Sequence, residues 1–245
     1  MILAVIPARY ASTRFPGKPL AVLGGRTMIS RVYEQVLSSS LVDQVVVATD
    51  DQRIFDHVQS FGGEVVMTRD DHPSGTDRVA EAAAHYPSAE IVINVQGDEP
   101  FIDPRQIDQL IKCFETPSVE IATLAHRIEE ERSLLSPNVV KVVFDKAGRA
   151  LYFSRHGIPY LRDVPVGQWL RAQKHYQHLG LYAYRVKVLA QLATMEKTDL
   201  ENAESLEQLR WLENGLNVQV SVTDMPAFGI DTPADLLAAE LRFNE

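Results

Sequence analysis

Apolar and polar positions along the chain follow two different rhythms. Residues 2–8 (ILAVIPA) are almost wholly apolar, as in a parallel strand buried on both faces. Over 26–39, Met28, Ile29, Val32, Val36 and Leu37 recur along one face and predict an amphipathic helix. Val45 to Asp50 predicts the next strand, and a helix through Ile54 and Val58 stops near Gly62-Gly63. Strand 64–68, helix 76–86 and strand 90–96 continue the alternation. Asp103-Pro104 then reads as an N-cap followed by a first-turn proline. Strands alternating with helices predict an α/β fold: a parallel, doubly wound sheet with right-handed crossovers.

The rhythm breaks after about residue 118. Segments 119–128, 139–145 and 149–155 read as strands, with Asp145-Lys146-Ala147-Gly148 as a hairpin turn. Residues 156–176 carry Gly157, Pro159, Pro165 and Gly167 and read as irregular. Two helices and a strand over 217–223 then return the chain to its sheet, and Asp231-Thr232-Pro233 opens the last helix. The expectation is one domain over 1–245, with a β-rich section at 119–185 inserted in it.

Composition adds exclusions. With 45% hydrophobic and 23% charged residues in 245, the core is large enough to need no disulfide or structural metal. Cys113 is the only cysteine, so no intrachain disulfide can form and a reducing compartment is expected. A net charge of −9 argues against a nucleic-acid or anionic-membrane surface. No apolar run reaches the ~20 residues that span a bilayer. The opening MILAVIPARY lacks a basic n-region and a small-residue cleavage site, and reads as a strand rather than a secretory leader. The cytoplasm is the expected location.

Candidate chemistry gathers at strand ends. Strand 2–8 runs into PARYASTRFPGKPL, which places Arg9, Arg14 and Lys18 within ten residues of an acidic chain. Ligands of such sheets bind beyond the carboxyl ends of the strands, where this loop must lie. Gly17 would let backbone approach a ligand, and a nearby helix start would direct N–H groups at an anion. A solvated basic loop is the plainer alternative. GxxxxGK[ST] and GxGxxG are both absent, which counts against a P-loop ATPase and a dehydrogenase. At the end of strand 90–96, Asp98 in NVQGDEP suits a hard divalent cation. Asp231 in GIDTP could be a second ligand. Taken singly, Asp98 reads equally as a turn residue and Asp231 as a helix-start residue.

Seven motifs occur in order: PARYASTRFPGKPL, SGTDR (74–78), NVQGDEP (94–100), YFSR (152–155), HLGLYAYR (178–185), LEQLR (206–210) and GIDTP (229–233). Together they resemble the 3-deoxy-manno-octulosonate cytidylyltransferase (CMP-Kdo synthetase) family over essentially the whole chain. The opening motif marks the wider sugar-nucleotidyltransferase superfamily; YFSR, HLGLYAYR and LEQLR narrow it. Two departures are a short 161–176 stretch and Ala183, where many relatives have glycine.

The resemblance implies a Rossmann-like nucleotide-diphospho-sugar transferase fold. It also implies a reaction of CTP with 3-deoxy-D-manno-octulosonate (Kdo), giving CMP-Kdo and pyrophosphate for lipopolysaccharide biosynthesis. By that likeness Arg9, Ser12, Arg14 and Lys18 hold the triphosphate, with Ser74, Arg78 and Gln96 near the nucleotide. Asp98 and Asp231 would bind Mg²⁺, with Lys18 joining them as catalytic. Arg155, His178, Tyr182, Glu207 and Gln208 match the motifs lining the sugar pocket. Arg155 suits a carboxylate because its guanidinium binds one bidentately; pairing with a surface acid is its alternative. His178 reads otherwise as a structural histidine, Tyr182 as core and Glu207 as a solvated helix charge. A homodimer is expected through the β-rich section. Rival readings are a cytidylyltransferase for another acidic sugar, a sugar-1-phosphate nucleotidyltransferase, and a non-catalytic nucleotide-binding protein.

Overall fold

The computed structural model describes residues 1–11, 15–226 and 228–243. The chain divides into two compact units, each made of separated segments. The first comprises Met1–Ile111, Ala183–Ala193 and Ala227–Glu245; the second comprises Lys112–Tyr182 and Thr194–Pro226.

The strands of the first unit are β1 (Ile2–Ala8), β2 (Val22–Leu23), β3 (Arg26–Thr27), β4 (Gln44–Thr49), β5 (Val65–Met67) and β6 (Ile91–Asn94). Four lie in the order β6-β1-β4-β5, all parallel, with Val5 opposite Asn94 and Ala8 opposite Thr49. β2 and β3 form a separate antiparallel pair. Leu3, Ala4, Val5 and Ile6 are all buried, as an unbroken apolar run requires when both faces are covered.

The helices α1 (Met28–Leu37), α2 (Gln52–Ser60), α3 (Gly75–Ala84) and α4 (Pro104–Lys112) follow their strands at the expected places. Side chains stop their N-termini: Thr27 accepts from Ser30 N, Asp51 from Arg53 N and Ser74 from Asp77 N. Each such cap is worth about 1 kcal/mol against alanine. α1 buries Met28, Ile29, Val32 and Val36, but Leu37 is 61% exposed. One residue advances the helix by about 100°, enough to turn Leu37 off the face that Val36 occupies. The last helix, Pro233–Phe243, starts as read, with a reciprocal cap: Asp235 N donates to Thr232 Oγ1, and Thr232 N to Asp235 Oδ2. Leu23, Met28, Ile230 and Ala239 form a buried cluster there.

The second unit holds β7 (Ile121–Arg127), β8 (Lys141–Phe144), β9 (Ala150–Ser154), β10 (Tyr176–Arg185, within this unit as far as Tyr182) and β11 (Val218–Thr223). Their order is β11-β7-β10, with β11 and β7 parallel, and β8 pairs antiparallel with both β10 and β9. The predicted hairpin turn is present: Asp145 N donates to Arg149 O (2.8 Å), and Asp145 Oδ1 accepts from Ala147 N and Arg149 N. Gly148 has φ 81°, and a Cβ there would sit 2.4 Å from Gln219 Nε2 and 3.0 Å from Val220 O. A side chain there would have to displace the Gln219 amide and press on the Val220 carbonyl.

Two expectations need correction. Three short helices, not two, follow β10: Val186–Leu192, Asp199–Glu204 and Glu207–Glu213. Ser205 sits in the left-handed region (φ 51°) and divides the last two, with no glycine or proline to announce the break. The irregular 156–176 stretch also contains a short helix, Trp169–Ala172. Trp169 anchors it in a small cluster with Ile128 and Leu134, flanked by Leu161, Val164 and Leu170. Ala183 is wholly buried. No described helix is long and apolar enough to cross a membrane.

Candidate active site

The carboxyl ends of β1 and β6 open onto a cavity of about 270 Å³ in the first unit. Arg9 leaves β1, and Gln96 and Asp98 follow β6; Lys18, His72, Ser74, Arg78 and Asp231 complete the charged and polar lining. These residues come from five separated segments, and parallel pairing brings their strand ends together. Lys18 is the centre. Its Nζ donates to Asp98 Oδ2 (2.7 Å) and Ile230 O (3.1 Å) and reaches Asp231 Oδ1 at 3.5 Å. Ile230 N donates to Asp98 O (2.9 Å), which fixes the GIDTP segment beside the NVQGDEP loop.

Asp98 and Asp231 therefore converge on one positive charge while remaining partly open, at 31% and 51% side-chain exposure. Two carboxylates are a donor set that fits Mg²⁺, which keeps waters and phosphate oxygens in its remaining positions. No group of three or more His, Cys, Asp or Glu side chains stands ready for a metal among the described residues. Ligand oxygens would have to complete the shell. Glu99, next in sequence, is pushed up to about 7, first by burial and then by the charge of Asp98.

Ser74 Oγ accepts from Asp77 N (3.2 Å) at the start of α3, and Ser74 and Gly75 line the cavity. That start presents N–H groups and the positive end of the helix dipole, both suited to an anion. Arg78 lines the cavity too, but its guanidinium is buried and held: Nη1 donates to Thr68 Oγ1 (2.5 Å) and lies 3.3 Å from Asp50. Gly17 departs from its expected use. A Cβ there would lie 3.0 Å from the Tyr10 ring, and φ is 72°, so the glycine closes the loop on itself. Arg53, which the sequence did not single out, stacks 3.3 Å above the Tyr10 ring. Ser12 and Arg14 lie outside the described residues.

The second unit gathers the other predicted residues. His178 and Tyr182 stand on β10 with ring centroids 5.1 Å apart, and Trp211 packs 5.0 Å beyond Tyr182. Glu207 begins the helix Glu207–Glu213 and accepts from Arg210 Nη2 (2.7 Å), so it is a paired charge. Gln208 beside it is buried. Arg155 donates through Nε to Glu204 O (2.7 Å), Nη1 to Pro137 O (3.0 Å) and Nη2 to Ser205 O (3.2 Å). Its partners are carbonyls rather than a surface acid. With three of its five N–H groups engaged, one remains on each terminal nitrogen.

Two residues of this unit escaped the sequence reading. Lys141 is fully buried, and its Nζ donates to the carbonyls of Ser136, Val139 and Arg155. Glu204 accepts from Ser154 Oγ (2.6 Å) and Arg155 N (2.9 Å). A lysine inside the apolar run KVVF was a visible signal; Glu204 had none.

Comparison with known proteins bears on the whole chain. The family model described as Cytidylyltransferase matches residues 3–220. A 3-deoxy-manno-octulosonate cytidylyltransferase of Bacteroides thetaiotaomicron is 51% identical over 242 residues, covering 97% of this chain and 96% of that protein. Its counterpart in Cytophaga hutchinsonii is 52% identical over 238 residues, covering 96% and 95%. Among solved structures, CMP:2-keto-3-deoxy-manno-octonic acid synthetase complexed with CTP superposes with a TM-score of 0.92 at 42% identity, covering 99% and 98%. The chain belongs to the cytidylyltransferase family, among its 3-deoxy-manno-octulosonate cytidylyltransferases.

Proposed function

We propose that the chain transfers CMP from CTP to the anomeric hydroxyl of Kdo, releasing pyrophosphate, with CMP-Kdo serving lipopolysaccharide biosynthesis. Its family membership supports this, and one observation carries it: Lys18, Asp98 and Asp231 converge beside a helix start at the carboxyl ends of parallel strands. Arg9, Lys18 and the start of α3 bind the triphosphate, with Ser12 and Arg14 assigned to it from the same loop motif; Gln96 and Arg78 flank the nucleotide. The sugar oxygen attacks the α-phosphorus, and the bond to the bridging oxygen of the β-phosphate breaks. Pyrophosphate leaves, and the hydroxyl proton passes to solvent. Lys18 stabilises the charge that grows on the leaving group. Asp98 and Asp231 would hold Mg²⁺, which neutralises phosphate charge and acidifies a nearby hydroxyl when bound. Phosphoryl-type transfer depends chiefly on positioning and charge neutralisation, so the reading needs no covalent intermediate.

On the sugar side, Arg155 offers its two remaining terminal N–H groups to the Kdo carboxylate, and His178, Tyr182, Glu207 and Gln208 surround the hydroxyls. The enzyme works in the cytoplasm as a homodimer, in this reading. A cavity of about 700 Å³ on the β-rich section supports that contact: Phe144, Leu170 and Tyr176 line it beside Arg127, Arg171 and Lys174, on a chain of net charge −9. Sedimentation at micromolar concentration should give twice the 27.4 kDa chain mass, and a monomer would refute the dimer. The decisive experiment is pyrophosphate release from CTP with a panel of acidic sugars. Kdo should give the fastest turnover; a preference for sialic acid or for a sugar 1-phosphate would overturn the substrate assignment.

A further inference from the structure

A hydroxyl has one proton to give. Thr123, wholly buried on β7, places its Oγ1 2.9 Å from Leu181 O and 3.2 Å from Leu179 O. Both carbonyls only accept, and a proton given to the imidazole instead would leave the hydroxyl oxygen facing two carbonyl oxygens with no proton between them, so the Thr123 proton goes to one of the carbonyls. Its remaining contact is His178 Nε2 at 2.9 Å. With the hydroxyl proton already directed at a carbonyl, that contact is a histidine N–H donating to the threonine oxygen. Phe153 meets the imidazole edge-on at 5.0 Å and Tyr182 lies tilted against it at 5.1 Å. This enclosure disfavours an imidazolium and lowers the ring's pKa from its ordinary value. A neutral ring with its proton on Nε2 has a bare lone pair on Nδ1. Nδ1 has no hydrogen-bond partner among the described residues, and the residue is half-buried rather than closed off.

We propose that Thr123 is a positioning residue for sugar recognition: it locks His178 in the Nε2–H tautomer, so that Nδ1 can only accept and reads a sugar hydroxyl. The inference rests on the assignment of His178 to the sugar. It also divides the labour within the second unit. A carboxylate would set its own lone pairs against Nδ1, so His178 rejects the acid group and leaves it to a cation, whereas a hydroxyl donates to Nδ1 without cost to either group.

The test joins spectroscopy to kinetics. Long-range ¹H–¹⁵N spectra of the full-length protein should show His178 at neutral pH as a single Nε2–H tautomer. Thr123→Val keeps the shape but removes the oxygen; it should give a tautomer mixture. Its KM for Kdo should rise about tenfold, while KM for CTP stays within about twofold, as loss of one buried hydrogen bond on one substrate predicts. Thr123→Ser should restore both readouts. An imidazolium or an Nδ1–H tautomer in the wild-type protein would overturn the proposal even if the valine variant fails to fold. So would a valine variant that raises both KM values alike, which is what a merely structural threonine would do. His178→Ala separates the two levels. If it weakens Kdo use and Thr123→Val does not, the positioning idea fails alone; if it leaves Kdo use unchanged, the assignment of His178 to the sugar fails with it.

Discussion

At Lys18 a single ammonium meets two carboxylates and a main-chain carbonyl. Removing it leaves Asp98 and Asp231 to repel each other and takes one cation from the phosphate side. A hydrogen bond to a charged group is worth roughly 1.5–3 kcal/mol. Lys18→Ala should therefore lower kcat/KM for CTP by about tenfold or more, with the fold retained; steady-state kinetics on the purified variant, alongside its far-UV dichroism, check this. That Arg9 and Lys18 line one cavity was legible because cations stood out in an acidic chain at a strand end. The holding of Arg155 and Arg78 was not. Arg155 is fixed by the carbonyls of Pro137, Glu204 and Ser205, and a carbonyl looks the same behind every side chain. Arg78 rests on Thr68 and Asp50, ten and 28 positions upstream, with no spacing that marks them as its partners.

Strands and helix starts were the most readable elements, because buried parallel strands have no polar face and capping residues have a chemical reason to sit where they do. Helix division was less readable. Ser205 interrupts the chain by backbone conformation alone. The hairpin between β8 and β9 lets conformation and crowding be separated. Gly148 and Gly215 have nearly equal φ, 81° and 78°, but only the first has neighbours where a Cβ would go. Alanine in the left-handed region costs about 1–2 kcal/mol, and crowding a packed site adds roughly 1–3. Gly215→Ala should lose the first amount and Gly148→Ala both. Urea unfolding of the two variants side by side measures the difference; equal losses would mean that Gln219 moves aside freely.

Across the molecule the chain leaves its first unit at Ile111, comes back for Ala183–Ala193, leaves again and returns from 227 onward. The last return brings Asp231 to a lysine 213 positions earlier, while Asp98 arrives from 80 positions away. Sequence pattern supplied the parallel sheet and offered Asp98 and Asp231 as candidate ligands, but it gave no measure of their convergence on Lys18. Since both carboxylates are proposed to act through one bound cation, their losses should not multiply. Asp98→Asn and Asp231→Asn should each remove most activity, and the double variant should be little worse than the poorer single one. Multiplicative losses, or full activity after chelation with EDTA, would show that the shared-metal idea is wrong.

The carbonyl cage around Lys141 makes that amine a clock. Amine-acylating reagents need an accessible, deprotonated nitrogen, and the native cage uses every N–H that Lys141 has. Lys146, five residues on, is exposed in the hairpin turn. In a labelling time course, Lys146 should be marked at once. Lys141 should be marked only as fast as the second unit opens, so one peptide carrying both lysines would report the opening rate by mass, without a fluorophore or a denaturant. Equal labelling of the two would show that the cage breathes open on its own.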